Sequence, residues 1–284
     1  MFSKISNSWE LVKASASVLR ADKELLIFPI ISTIGLFLVT AVFAIPLFAG
    51  AAVDAALFEN FQVVGFIVLF AFYIVQYTVI FFANTALVGA ALIRLRGGDP
   101  TVRDGIDVAL KNFGPILGYA LMAATVGVIL KSINDRSKGF GRFITTLIGT
   151  AWNVATYLVV PILAVEGIGP VDAVKRSVEL LKRTWGEQIV GNMGLGAITG
   201  LSFFAVILLG GGAIFGAVYF ELGVAVIIAL SVLLVIALGL LGLISSALNG
   251  IYSAAVYEYA NTGNVGGFFE DELVRNAFRP KQMR

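Results

Sequence analysis

The chain has 284 residues, of which 58% are hydrophobic and 13% charged, and its mean hydropathy is +0.93. Soluble domains run at about 45–50% apolar and about 25% charged, so the composition excludes an ordinary soluble globular protein. The formal net charge of +2 says little, but the absence of Cys and His excludes disulfides, thiolate chemistry, imidazole acid–base work and most transition-metal sites.

Six windows contain no Asp, Glu, Lys or Arg: 25–53, 60–93, 112–130, 143–165, 188–220 and 222–257. Each is as long as the roughly 17–25 residues that cross a bilayer as a helix. The predicted fold is therefore all-α. It is a polytopic membrane helical bundle of six transmembrane helices in three hairpins, each preceded by an interfacial amphipathic helix, with one more amphipathic helix at the C-terminus. Residues 1–284 form a single integral membrane domain.

Residues 3–22 have the period of an amphipathic helix, with Ile5, Trp9, Val12 and Leu19 on one face and Lys4, Glu10, Lys13 and Arg20 elsewhere. Trp9 suits a headgroup-level anchor. A charged segment precedes an apolar run much longer than a signal-peptide core, so no cleavable signal is expected. The first span runs from about Leu25 to Gly50 and the second from about Phe61 to Leu95. The second, at about 35 residues or about 52 Å, is longer than the bilayer requires.

Gly97–Gly98 can then stop the helix, with Asp99 as the cap and Pro100 as the first residue of the next. That second surface helix presents Val102, Ile106, Leu110 and Phe113, with Asp107–Lys111 as an i,i+4 pair. The third span covers about Ile116–Ile133 and the fourth about Phe143–Val165, with a kink expected at Pro161. A third surface helix starts at Pro170 with Val171, Val174, Val178, Leu181 and Trp185 as its stripe and Asp172–Arg176 and Glu179–Arg183 as pairs. Spans five and six cover about Ile189–Phe220 and Ala225–Tyr259. ANTGNVGG precedes a last amphipathic helix, 268–278.

DGIDVALKNFGPILG and RSVELLKRTWGEQIVG match in pattern at a shift of 72 residues, and ANTALVGAALIRLRGGD resembles ALNGIYSAAVYEYANTG. Three units follow, at 3–95, 99–166 and 170–260, each a surface helix and a two-span hairpin. Sixteen of the 20 basic residues fall at the N-terminus, after spans two and four, and in the tail. That places both termini and the surface helices on the cytoplasmic side of the cytoplasmic membrane. Lys131, Arg136, Lys138 and Arg142 are the exception, and either lie outside or belong to a re-entrant pair.

Polar residues within the spans fall in stripes, which should turn away from lipid because an unpaired amide in hydrocarbon costs several kcal/mol. The candidate seam comprises Gln76, Asn84, Asn153, Thr156, Tyr157, Asn192 and Asn249. It serves either a solute path or interhelical hydrogen bonding worth about 0.6–2 kcal/mol each. No ionised side chain lies centrally in a span, which disfavours ion-coupled transport but leaves a passive channel open. GPILG, GAITG and GAIFG allow close helix approach, while GLGAITG lacks the preceding strand of a nucleotide loop. Asp99, Glu166 and Glu258 sit at span ends, where capping or interfacial solvation accounts for them.

The expected function is that of a non-enzymatic, oligomeric scaffold or assembly component without a cofactor; the alternative is a passive channel or permease through the Asn-lined seam. The basic surface helices, anchored by Trp9, Phe113 and Trp185, should meet the anionic cytoplasmic leaflet. The protein partner is a second copy or another membrane protein, with no role for nucleic acid. At SWELVKASASVLRADKELLIFP, GGDPTVRDG, PILAVEGIGPVDAVKRSVELLKRTWGE and YEYANTG the chain resembles an uncharacterised prokaryotic membrane protein family, a domain of unknown function. More loosely it is similar to the sulfate-permease-like (CysZ) family and to the membrane domain of some glycerophosphodiesterases. None of these resemblances implies a catalytic residue.

Overall fold

The computed structural model describes residues 2–53, 62–136, 140–185, 194–270 and 274–275. Within them the chain forms α1 (Phe2–Ala21), a 3-10 turn (Lys23–Leu26), α2 (Ile27–Val53), α3 (Gln62–Leu95), α4 (Val102–Lys111) and α5 (Phe113–Arg136). There follow α6 (Phe140–Ala155), α7 (Val159–Val165), α8 (Pro170–Trp185), α9 (Gly194–Tyr219) and α10 (Val224–Thr262). Among the described residues six stretches are long and apolar enough to cross a membrane, Phe113–Asp135 and Gly141–Val165 included.

The spans do not bury much of themselves against one another; the core lies at one end of the bundle. There the last turns of α3 and α10 and the short α7 are enclosed by α1, α4 and α8. At about 51 and 58 Å, α3 and α10 outrun the roughly 30 Å of hydrocarbon, and it is their surplus turns that enter this head. Leu87, Leu158, Ile162, Leu163, Tyr252 and Tyr257 are among its largest fully buried side chains.

Local chemistry sets the joints. After α3, Gly97 takes φ 87°, the Gly98 N–H donates to Ile93 O (2.9 Å) and the Gly97 N–H to Arg94 O (2.9 Å), which closes a Schellman motif. The cap of α4 is Thr101 rather than Asp99: its hydroxyl accepts from the Asp104 N–H while Asp104 reaches back to the Thr101 N–H at 2.8 Å. Donation from the Thr101 hydroxyl (2.7 Å) and from the Thr101 N–H holds the Asp104 carboxyl below the usual carboxylate range. The fourth span breaks at Thr156–Leu158, upstream of Pro161. A proline has no N–H for the carbonyl four residues back, at Tyr157, and its ring crowds it, so the helix restarts at Val159. The Leu158 N–H freed by the break donates to the buried Ser177 hydroxyl on α8 (3.1 Å). Left unpaired, it would cost about 1–3 kcal/mol.

The surface helices turn part of their expected stripes to the head, with Leu19 and Leu181 buried and Val12, Val102, Ile106 and Val174 packed against the core. Residues outside those stripes join them. α1 buries Leu11, Ser15 and Val18 as well as Leu19, α4 buries Gly105 and Ala109, and α8 buries Ala173, Ser177 and Leu180. Leu110, Phe113 and Val171 from the expected stripes are exposed. Small side chains let these helices sit close on the span ends, which leaves the large apolar groups facing outward. The charge pairs differ as well: Arg103–Asp107, Lys175–Asp172 and Arg176–Glu179 form. The helix expected over 268–278 does not begin at Phe268. Residues 264–266 are irregular, 267–269 form a turn, and Gly263 and Gly266 have φ of 80°. Val265 and Phe269 are buried in the head, Val274 and Arg275 are helical, and the rest of that helix lies outside the described residues.

Candidate functional site

The charged residues at the span ends are tied to each other across the head. Arg96, just past α3, makes a bidentate pair with Glu258 near the end of α10, at 3.1 and 2.7 Å. Arg94 binds both Asp22, ahead of α2, and Asp99. Arg176 on α8 binds Glu166 at 3.3 Å, and Glu166 also accepts from the Tyr257 hydroxyl at 3.2 Å. The Asn112 amide donates to Val108 O and to Ala164 O, and Arg183 donates to Ala260 O at 2.8 Å. The Arg96–Glu258, Arg94–Asp22 and Tyr257–Glu166 bonds join elements distant in sequence, so Glu166 and Glu258 are neither caps nor merely solvated. Asp99, held by Arg94 only five residues away, is itself 91% exposed, as interfacial solvation expects. Hydrogen bonding to Glu258 raises the Arg96 guanidinium above its ordinary range.

The seam residues meet different fates. The Gln76 amide donates to the Thr40 hydroxyl (2.9 Å) and joins α3 to α2. Asn84 is half-buried where α3 enters the head and makes no hydrogen bond with a described residue. Thr156 donates back to Trp152 O (2.8 Å) at the α6–α7 break, and Tyr157 is half-buried beside it. Asn249 donates back to Ser245 O (2.8 Å), and both Asn249 and Asn153 are exposed. α6 packs on α5 and α8, whereas α10 packs on α3, α9 and α1, so these two amides do not lie on a shared packed interface. Asn192 lies outside the described residues.

α6 carries a further polar stripe. Arg142, Thr146, Thr150 and Asn153 follow one another at helical spacing and are all exposed, while the adjacent face, at Thr145, is buried. Of the anchors, Trp9 is 50% and Phe113 44% exposed, and the Lys13 ammonium lies 6.0 Å from the Trp9 ring centroid. Trp185 ends α8, and its side chain lies outside the described residues. Arg94, Arg96, Arg176 and Ser177 are joining residues that periodicity and composition do not reveal. The signal available was opposite charges at the ends of different spans, which becomes a pairing only once the topology sets those ends side by side.

Among the described residues no group of three or more His, Cys, Asp or Glu could hold a metal ion. A family model described as "Family of unknown function (DUF6159)" matches residues 63–268, from the start of α3 to the turn after α10. No curated protein matches the chain. The family match agrees with the resemblance to an uncharacterised family and lends nothing to the sulfate-permease-like or glycerophosphodiesterase resemblances.

Proposed function

We propose that this chain, which belongs to the DUF6159 family of unknown function, is a non-enzymatic, oligomeric scaffold of the cytoplasmic membrane with its head on the cytoplasmic side. The observation that carries the reading is where the buried volume sits. A solute path within one copy that left the spans between α3, α7 and α10 would meet Leu87, Val88, Leu158, Val159, Ile162, Ile251 and Tyr252, which are nearly or fully buried. That arrangement suits a rigid platform, clamped by arginine–carboxylate pairs and ringed by basic helices that meet anionic lipid. Sixteen of the 20 basic residues lie toward the head or on the tail, which supports the orientation. The element order, short helix then two spans taken three times, is the order that the proposed units 3–95, 99–166 and 170–260 call for.

The α6 stripe supports an oligomer. Thr146 and Thr150 donate to carbonyls of their own helix. The Asn153 amide, however, makes no hydrogen bond with a described residue and is a poor neighbour for lipid, so a second copy supplies the partner it lacks. On α9, Gly196, Gly200, Gly212 and Gly216 have open space where a side chain would stand, so a second helix can approach closely there. A passive channel between copies is the alternative use of the same stripe. Native mass measurement in a mild detergent should give a defined oligomer. Asn153→Leu should associate about tenfold more weakly, through the loss of the interhelical hydrogen bonding of its amide. A wild-type monomer under lipid-retaining conditions would contradict the oligomeric reading.

A further inference from the structure

Below the head, the middle of α3 and the second half of α5 line a cleft of about 170 Å³ formed by Tyr73, Tyr77, Ala124, Gly127, Val128 and Lys131. We infer that this cleft is an anion site, built to take the phosphate or carboxylate head of an amphiphile whose apolar part lies along α3 and α5.

Its polar lining consists of two phenol hydroxyls and one ammonium. Lys131 forms no ion pair with a described residue, Asp135 one turn further on included, and neither tyrosine hydroxyl makes a hydrogen bond with a described residue. An ammonium and two O–H donors with no carboxylate among the lining groups select negative charge over positive. The walls, Ala124, Gly127 and Val128, are apolar, so the cleft matches a molecule with a charged end and a greasy remainder.

Tyr77 is held in position. The Tyr77 ring stacks on Phe81 at 5.7 Å between centroids, and Phe81 in turn packs on Tyr119 at 4.5 Å. Tyr73 lies one turn away from Tyr77 on the same helix face. A Cβ added at Gly127 would lie 3.6 Å from the Tyr77 hydroxyl, so the absent side chain opens the floor of the cleft beneath it. The site also gives a use to Lys131, one of the four basic residues that depart from the charge bias of the rest of the chain. It is independent of the scaffold reading.

The test uses the full-length protein in mild detergent, with phosphatidylglycerol, phosphatidylcholine and inorganic phosphate as separate probes, read by native mass measurement. Wild type should retain phosphatidylglycerol about tenfold over phosphatidylcholine at one saturable site, and Lys131→Gln should abolish that preference. Gly127→Leu fills the cleft without touching a charge and should do the same, as should the double variant Tyr73→Phe, Tyr77→Phe; each variant's melting temperature confirms its fold. Lipid held by the basic helices of the head is common to all these proteins and cancels. Lys131-dependent binding of inorganic phosphate alone would make a free anion the ligand, whereas retention of phosphatidylglycerol alone would make it a lipid head. A phosphatidylglycerol preference that survives in the folded Lys131→Gln and Gly127→Leu proteins overturns the inference.

Discussion

Replacing Gly105 with alanine should destabilise the head by about 3 kcal/mol, although glycine to alanine inside a helix ordinarily gains up to about 1 kcal/mol. Gly105 lies in α4 at its crossing over α3. A Cβ there would stand 2.5 Å from Phe28 Cζ and 2.6 Å from the Ala86 carbonyl oxygen. The phenyl ring can swing aside, but the carbonyl belongs to a helix running through the core, so α4 itself must lift. Val108, one turn on, is packed just as tightly over Gly89, so lifting α4 also opens a void there. Gly114, where an added Cβ meets nothing within 4 Å, is the internal control: Gly114→Ala should be neutral or slightly stabilising. Reversible unfolding in mixed micelles compares the two, and equal effects would mean that the α3–α4 contact is not close.

Arg96→Leu should cost about 2–4 kcal/mol, through the carboxylate it abandons more than through the charge it removes. The Glu258 side chain is only 11% exposed, whereas that of Arg96 is 47% exposed. With the guanidinium gone, an ionised carboxylate stays largely out of water with its two bonds unmade, which is the costly half of breaking an ion pair. Partial solvation of Arg96 keeps the pair itself from being worth more. The double variant Arg96→Leu, Glu258→Leu should therefore be more stable than Arg96→Leu alone, and a double-mutant cycle should return a coupling above about 1 kcal/mol. Additive losses would show that the two side chains act separately.

The six spans were legible because lipid leaves a signature that no tertiary contact edits: long runs without charge. The head was much less so. In α1, α4 and α8 the eye follows Trp9, Leu110 and Val171, but the buried faces run through Ser15, Gly105, Ala109, Ala173 and Ser177 as well as Leu19 and Leu181. Hydropathy patterning assumes that the largest apolar groups face the protein. A helix lying between a protein head and a bilayer has two apolar neighbours, and the close-packed one favours small residues. The cap of α4 was misplaced for a similar reason. Asp99 and Thr101 are both good capping residues, and only the fold gives Asp99 to Arg94 and leaves Thr101 to pair with Asp104. The kink at Pro161 was anticipated, but its place, three to five residues upstream, follows from which carbonyl a proline cannot serve.

Of the seam, the residue types were readable and the partners were not. Gln76 and Thr40 lie on different spans, and their bond depends on how α2 leans on α3. Asn153 and Asn249 face outward on separate helices, a distinction that spacing along one helix cannot make. The open cleft at Lys131 was likewise invisible, because it needs Tyr73, Tyr77 and Gly127 brought together from two antiparallel helices.

Flux through liposomes containing the purified protein tests the closed, packed head most directly. Under a salt gradient, and with small neutral solutes, the reading of the chain as a scaffold predicts leakage equal to that of protein-free liposomes, for wild type and for Asn153→Leu alike. A selective, saturable flux that Asn153→Leu abolishes while the fold stays intact would contradict it.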